Sequence, residues 1–138
     1  DEDVFAIAKD ENTVVGTDGI LRSLEERAHP RGFGSFPRAL RWFVKEKKLL
    51  TLEQMIHKMT GLPAQRLFLQ NKGRIEEGLD ADLAVFDWPV LQDTSDYIHS
   101  NTVARGMEYV VVAGQGVYEK GRLTGAAPGR ILLHRRDG

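Results

Sequence analysis

The sequence has no cysteine, which removes a disulfide framework, a thiol nucleophile and a thiolate metal site from consideration. It also has almost no net charge: 19 Lys and Arg against 20 Asp and Glu leave −1. That field is too weak to favour nucleic acid or an anionic membrane as a partner. No apolar run approaches the roughly 18–20 residues that span a bilayer, and no signal peptide is visible in a chain that starts at Asp1 instead of Met. A cytoplasmic protein is the expectation. H-x-H, H-E-x-x-H and Cys/His clusters are all missing, so this chain alone cannot build an ordinary three- or four-ligand zinc site. There is no G-x-S-x-G, P-loop or dinucleotide fingerprint. The glycine-rich "GFGSF" lacks the lysine and the preceding strand of a phosphate cradle.

What is present is ordinary globular material: 138 residues, 41% hydrophobic and 28% charged, enough for a real core. The chain reads in two parts. Residues 1–71 are mostly helical after an opening strand at "TVVG", where Val14 and Val15 supply the buried positions and Gly16 to Gly19 end it. No element is expected before that strand. Ile20 to Gly34 reads as a loop, with Pro30, Gly32 and Gly34 as breakers. A helix is then predicted with Ser35 as N-cap and Pro37 in its first turn, its apolar face formed by Phe36, Leu40, Phe43 and Val44. "LTLEQMIHKMTG" carries a Thr51/Gln54 capping box and one apolar face of Leu52, Met55, Ile56 and Met59. Gly61 is read as its stop and Pro63 as the restart of a short helix ending near Leu69.

From about Gly73 the pattern turns to β. "DLAVFD" is apolar on both faces and predicts a buried strand. Asp87 to Ala104 reads as polar and irregular. "MEYVVVAGQGVYEKG" predicts a hairpin of Tyr109–Ala113 and Val117–Glu119 around Gly-Gln-Gly. The closing segment through Gly138 is expected to fray.

Three residues stand out as chemistry. Asp18 in "TDG" reads either as turn chemistry or as a carboxylate held at the C-terminal end of a buried strand, where barrel enzymes collect catalytic groups. His29 and Arg31 read either as an exposed loop with a surface ion pair or as anion recognition, since a guanidinium fork suits a carboxylate. His57, His99 and His134 have no ligand spacing. Glu76, Glu77, Asp80, Asp82 and Asp87 look like strand-edge and turn residues without a catalytic part.

The segments "VVGTDG", "HPRGFGSFPRAL", "LLTLEQMIHKMTGLPAQRL", "KGRIEEGLDADLAVFD" and "GMEYVVVAGQGVYEKGRLTGAAPGRIL", in this order, resemble the C-terminal portion of the D-aminoacylase (N-acyl-D-amino-acid deacylase) branch of the metal-dependent amidohydrolases. The resemblance runs from about Thr13 to Leu132. The later segments mark the superfamily, and "TDG…HPRGFGSFPR" points to the deacylase branch. It implies an α/β fragment: residues 1–71 as the last strand, active-site loop and helices of a (β/α)8 barrel, and residues 72–138 as the C-terminal share of a small β-sandwich. It implies hydrolysis of a small-molecule N-acyl-D-amino acid by zinc-activated water, with Asp18 as the aspartate that contacts the metal site and moves protons, and His29 and Arg31 as substrate-binding residues of the loop over the site, Arg31 on the substrate carboxylate and His29 orienting the loop or hydrogen-bonding the substrate. The family's H-x-H pair, bridging ligand and later histidines have no counterpart here, so the chain is expected to be silent alone, to bind no zinc alone, and to self-associate through faces left uncovered. "SNTVARGMEY" also departs from the family pattern. A cyclic amidase of dihydroorotase or hydantoinase type, and a non-catalytic interaction or oligomerisation module, remain as alternatives.

Overall fold

A computed structural model describes residues 1–20 and 25–132; His134, the end of the closing segment and part of the Ile20–Gly34 loop lie outside them. The chain opens with a helix, α1 (Glu2–Lys9), where none is expected from the sequence. Its polarity suits the helix dipole, with Glu2 and Asp3 in the first turn and Lys9 in the last. Phe5 anchors it edge-on to Trp42 and Phe43, at ring centroid separations of 5.5 and 6.5 Å.

The predicted opening strand is not formed. Residues 12–20 pair with no strand, because the four strands among the described residues all lie between Leu83 and Leu123 and a lone extended segment has no ladder to join. It is held by other means. The Val15 amide donates to the Lys58 carbonyl at 3.1 Å. Lys58, buried at 6% exposure, donates from Nζ to the carbonyls of Asp10 and Thr13.

Helix α2 (Arg31–Ala39) begins four residues before Ser35, with Pro30 at the N-cap. Ser35 caps nothing; its Oγ donates to the Arg31 carbonyl one turn back, at 2.8 Å. Pro37 therefore sits inside the helix, where it offers no N–H and crowds the carbonyl four residues back. The helix continues as a π-helix over Leu40–Glu46, a wider winding than the α-helix. Gly32 and Gly34 are helical residues, not breakers, and Gly34 is buried.

Helix α3 (Leu52–Met59) starts at the predicted capping box, with both the Thr51 and Gln54 side-chain bonds made. Thr60, at φ −131° and ψ −76°, separates it from α4 (Gly61–Arg66). Gly61 thus opens α4 instead of stopping α3. A Cβ there would lie 2.7 Å from His57 Nδ1, so close packing explains the glycine.

The sheet is a four-stranded antiparallel meander in the order β1 (Leu83–Phe86), β2 (Met107–Val112), β3 (Gln115–Glu119), β4 (Arg122–Leu123). β1 is an edge strand, and its Ala84 and Val85 are exposed; the buried strand expected from its double apolar face is not what forms among the described residues. The β2–β3 hairpin turns at Ala113-Gly114, both at positive φ (47° and 77°), with Val112 opposite Gln115. That is the two-residue primed turn that matches strand twist, one residue earlier than Gly-Gln-Gly suggests. Lys120-Gly121 repeats the device between β3 and β4.

The core centres on Ala39, Leu40, Met55 and Leu91, surrounded by residues including Val15, Phe43, Phe86, Trp88 and Met107. Leu91 is 1% exposed, although it comes from the 87–104 stretch that reads as irregular. Burying a side chain of that size contributes about 1.5–3 kcal/mol, and it joins the helical half to the sheet half.

Candidate functional site

Asp18, His29 and Arg31 come together at the start of α2. Arg31 Nε lies 2.9 Å from Asp18 Oδ1, with both side chains open to solvent. The Arg31 amide donates to His29 Nδ1 at 3.1 Å. Both bland readings and sharp readings of these residues thus describe the same contact: Arg31 does make a surface ion pair, and its partner is the candidate catalytic carboxylate. An exposed pair of this kind is weak and exchangeable, so the guanidinium fork is able to leave Asp18 for another carboxylate.

The segment carrying Asp18 is pinned to the helix by backbone approach and two hydroxyls. A Cβ on Gly19 would meet Gly32 Cα at 2.9 Å; the contact requires glycine. Thr17 Oγ1 accepts the Gly19 amide at 3.0 Å and donates to the Arg31 carbonyl at 3.3 Å, beside the Ser35 hydroxyl on the same carbonyl.

The opposite wall comes from residues 93–100. Ser95 Oγ donates to the Pro30 carbonyl at 3.1 Å, and Ser100 Oγ accepts the Ala28 amide at 3.3 Å. Asp93 takes Arg41 Nε at 2.6 Å, and that bond is the main cause of the raised Arg41 pKa, against a smaller lowering by burial. Gly34 makes room for this wall: a Cβ there would lie 2.4 Å from Ser95 Oγ. Tyr97 packs edge-on to His29, with centroids 5.2 Å apart and the hydroxyl 3.4 Å from Nε2. Sequence reasoning missed this wall. Its signal was the run "DTSDYIHS", dense in side-chain hydrogen-bonding groups yet free of turn-forming Gly or Pro.

Among the described residues, His57 is exposed on α3, while His99, within the wall itself, sits against Asp96. Asp80 and Asp82 flank Lys72, and Asp82 accepts the Ala113 amide at 2.7 Å, a turn-bracing part in keeping with their reading as structural. Among the described residues, no three His, Asp or Glu side chains converge as a metal site would require. Asp18 offers a single carboxylate, which by itself does not fit a zinc centre.

Comparison with known proteins gives a consistent picture. The amidohydrolase family model matches residues 7–118. D-aminoacylase of Alcaligenes xylosoxydans xylosoxydans is 39% identical over 120 residues, covering 87% of this chain and 24% of that protein. A solved D-aminoacylase mutant in complex with CuCl2 superposes with a TM-score of 0.88 at 37% identity, over 95% of this chain and 27% of that one. An N-acyl-D-glutamate deacylase of Bordetella bronchiseptica, complexed with zinc and a phosphonate mimic of the tetrahedral intermediate, gives 0.78 at 35% identity over 88% and 26%. The chain spans about a quarter of the length of the relatives it matches.

Proposed function

The chain belongs to the amidohydrolase family, and from that premise we propose that it is the C-terminal part of a metal-dependent enzyme hydrolysing N-acyl-D-amino acids. In this reading residues 1–71 complete a (β/α)8 barrel and residues 72–138 contribute to a β-sandwich. Zinc, if bound by residues outside this chain, would supply a water acidified toward neutral pH. Asp18 accepts the proton of the attacking water and returns it to the leaving amine nitrogen. Arg31 grips the substrate carboxylate through its fork, and His29 holds the Arg31 backbone in place.

One observation carries the reading: Arg31, set on the first turn of α2, already binds a carboxylate, and it is that of Asp18. A substrate carboxylate taken by the same fork would sit beside the group that moves the proton. Exposed apolar residues such as Val85 and Ile7 support self-association of the isolated chain.

The test uses the complete protein on a panel of N-acyl-D-amino acids, dihydroorotate and hydantoin. Turnover is expected on the first class alone. D18N should lower kcat by about 10²–10⁴-fold, the range for a lost general acid–base group. R31A should raise KM by about 10- to 100-fold, as for a lost charged hydrogen bond. Cyclic-amide turnover, or activity and stoichiometric zinc in the 138-residue chain alone, would overturn the reading.

A further inference from the structure

His29 is held from both sides by the chain's second half. The carbonyl of Pro30, after it, accepts from Ser95 Oγ at 3.1 Å. The amide of Ala28, before it, donates to Ser100 Oγ at 3.3 Å. Both serines are buried, at 5% and 6% exposure, and they reach residues 65 and 72 positions away.

Helix α2 does not need the Ser95 bond in order to form. The Pro30 carbonyl already takes the Phe33 and Gly34 amides, both at 3.0 Å, as the first turn closes. The Ser95 hydroxyl is thus an extra donor on a satisfied acceptor, and it fixes where the turn sits, not whether it exists. Gly34 leaves that hydroxyl its path, since a Cβ there would lie 2.4 Å from Ser95 Oγ. The serines stand on firm ground. Leu91, four residues ahead of Ser95, is in the core, and Asp93 is bonded to Arg41 Nε. Arg31, by contrast, meets Asp18 in a solvent-open pair. Its aim is left to the backbone it grows from, whose amide is bonded to His29.

We propose that Ser95 and Ser100 are positioning residues of the substrate site: they brace the backbone on either side of His29 and thereby aim Arg31 at a substrate carboxylate. The brace is a property of the loop alone; its effect on substrate rests on the proposed grip of Arg31.

The complete protein tests both, as S95A, S100A and the double variant. S100A removes the acceptor of the Ala28 amide, whose hydrogen should exchange about tenfold faster. The Met55 amide of α3 should be unchanged and so report an intact fold. On an N-acyl-D-amino acid, each single variant should raise KM about three- to tenfold and change kcat less, as for one lost hydrogen bond acting on binding. In an R31A background the same substitutions should move KM by less than about twofold, because no guanidinium is left to aim. General structural damage would act equally in both backgrounds. An unchanged KM, equal changes in the two backgrounds, or an Ala28 amide unmoved in S100A overturns the proposal. Faster exchange at Ala28 in a protein that does not turn over N-acyl-D-amino acids supports the brace and overturns the deacylase reading instead.

Discussion

Gly34 and Gly32 lie two residues apart on α2 and look alike in sequence, yet their surroundings are opposite. A Cβ on Gly34 collides with Ser95 Oγ at 2.4 Å and Asp93 Cβ at 3.2 Å, whereas one on Gly32 meets only the Ile20 carbonyl, at 3.6 Å. Gly34→Ala should therefore cost about 1–3 kcal/mol, as overpacking does. Gly32→Ala should be neutral or stabilising by up to about 1 kcal/mol, because alanine favours the helix. Urea unfolding of the two variants checks the contrast; equal losses would mean that the 93–100 wall yields easily. Both glycines read as breakers from the sequence because composition shows that glycine is permissive but not what it permits. Asp18, His29 and Arg31 were legible as candidates by residue type. The family resemblance set them around one site, but the Asp18–Arg31 contact itself was not legible, since it depends on Gly19 seating against Gly32.

At the scale of elements, local chemistry predicts well where it closes locally. The Thr51/Gln54 box and the following apolar face gave α3 correctly, because every bond involved lies within one turn. The β2–β3 hairpin was also legible, but its turn fell on Ala113-Gly114 and not on Gly-Gln-Gly. Ala113 adopts φ 47° because its amide is held by the Asp82 carboxylate, a contact with a residue 31 positions away that no hairpin rule contains. An alanine in the left-handed region is strained by about 1–2 kcal/mol, and asparagine tolerates it better. Ala113→Asn should accordingly stabilise the chain by about 0.5–1 kcal/mol, read as a higher urea midpoint with an unchanged slope. Helix α1 and the unformed strand at Val14-Val15 are the converse cases. The helix is anchored by Phe5 on the distant Trp42 and Phe43, and the strand lacks a neighbour to pair with.

For the molecule as a whole, one charge cluster beside the sheet, from Lys72 to the Ala113 turn, carries a pH signature. The Ala113 amide, then Lys72, hold the Asp82 carboxyl below its usual value, and Lys72 does the same for Asp80. Lys72 is raised in turn, first by Asp82 and then by Asp80. A carboxyl lowered by folding adds stability above its unfolded value, 3.8, and loses it as pH falls through the folded value. A lysine raised by folding adds stability below its unfolded value, 10.5, and loses it as pH rises through the folded value. The Tm gap between the wild-type chain and Asp82→Asn should hence be flat across neutral pH, close below about pH 4 and narrow above about pH 10, where Lys72 loses its charge but the Ala113 amide still donates. A gap that persisted at about pH 2 would show that the aspartate acts by shape and not by charge.

The sequence by itself determined what can be written within a few residues: the capping box, the existence of the hairpin, and the residue types able to move a proton or hold a carboxylate. The order of its motifs was enough to point to the amidohydrolases. Tertiary structure alone decided which of those residues meet. Leu91 becomes core, Lys58 clamps the segment before Asp18, and Tyr97 reaches His29 across 68 positions. The physical reason is range: helix and turn preferences act over one turn of chain, whereas burial, backbone approach and the bracing of a loop are set by whichever distant atoms the fold brings within hydrogen-bonding reach.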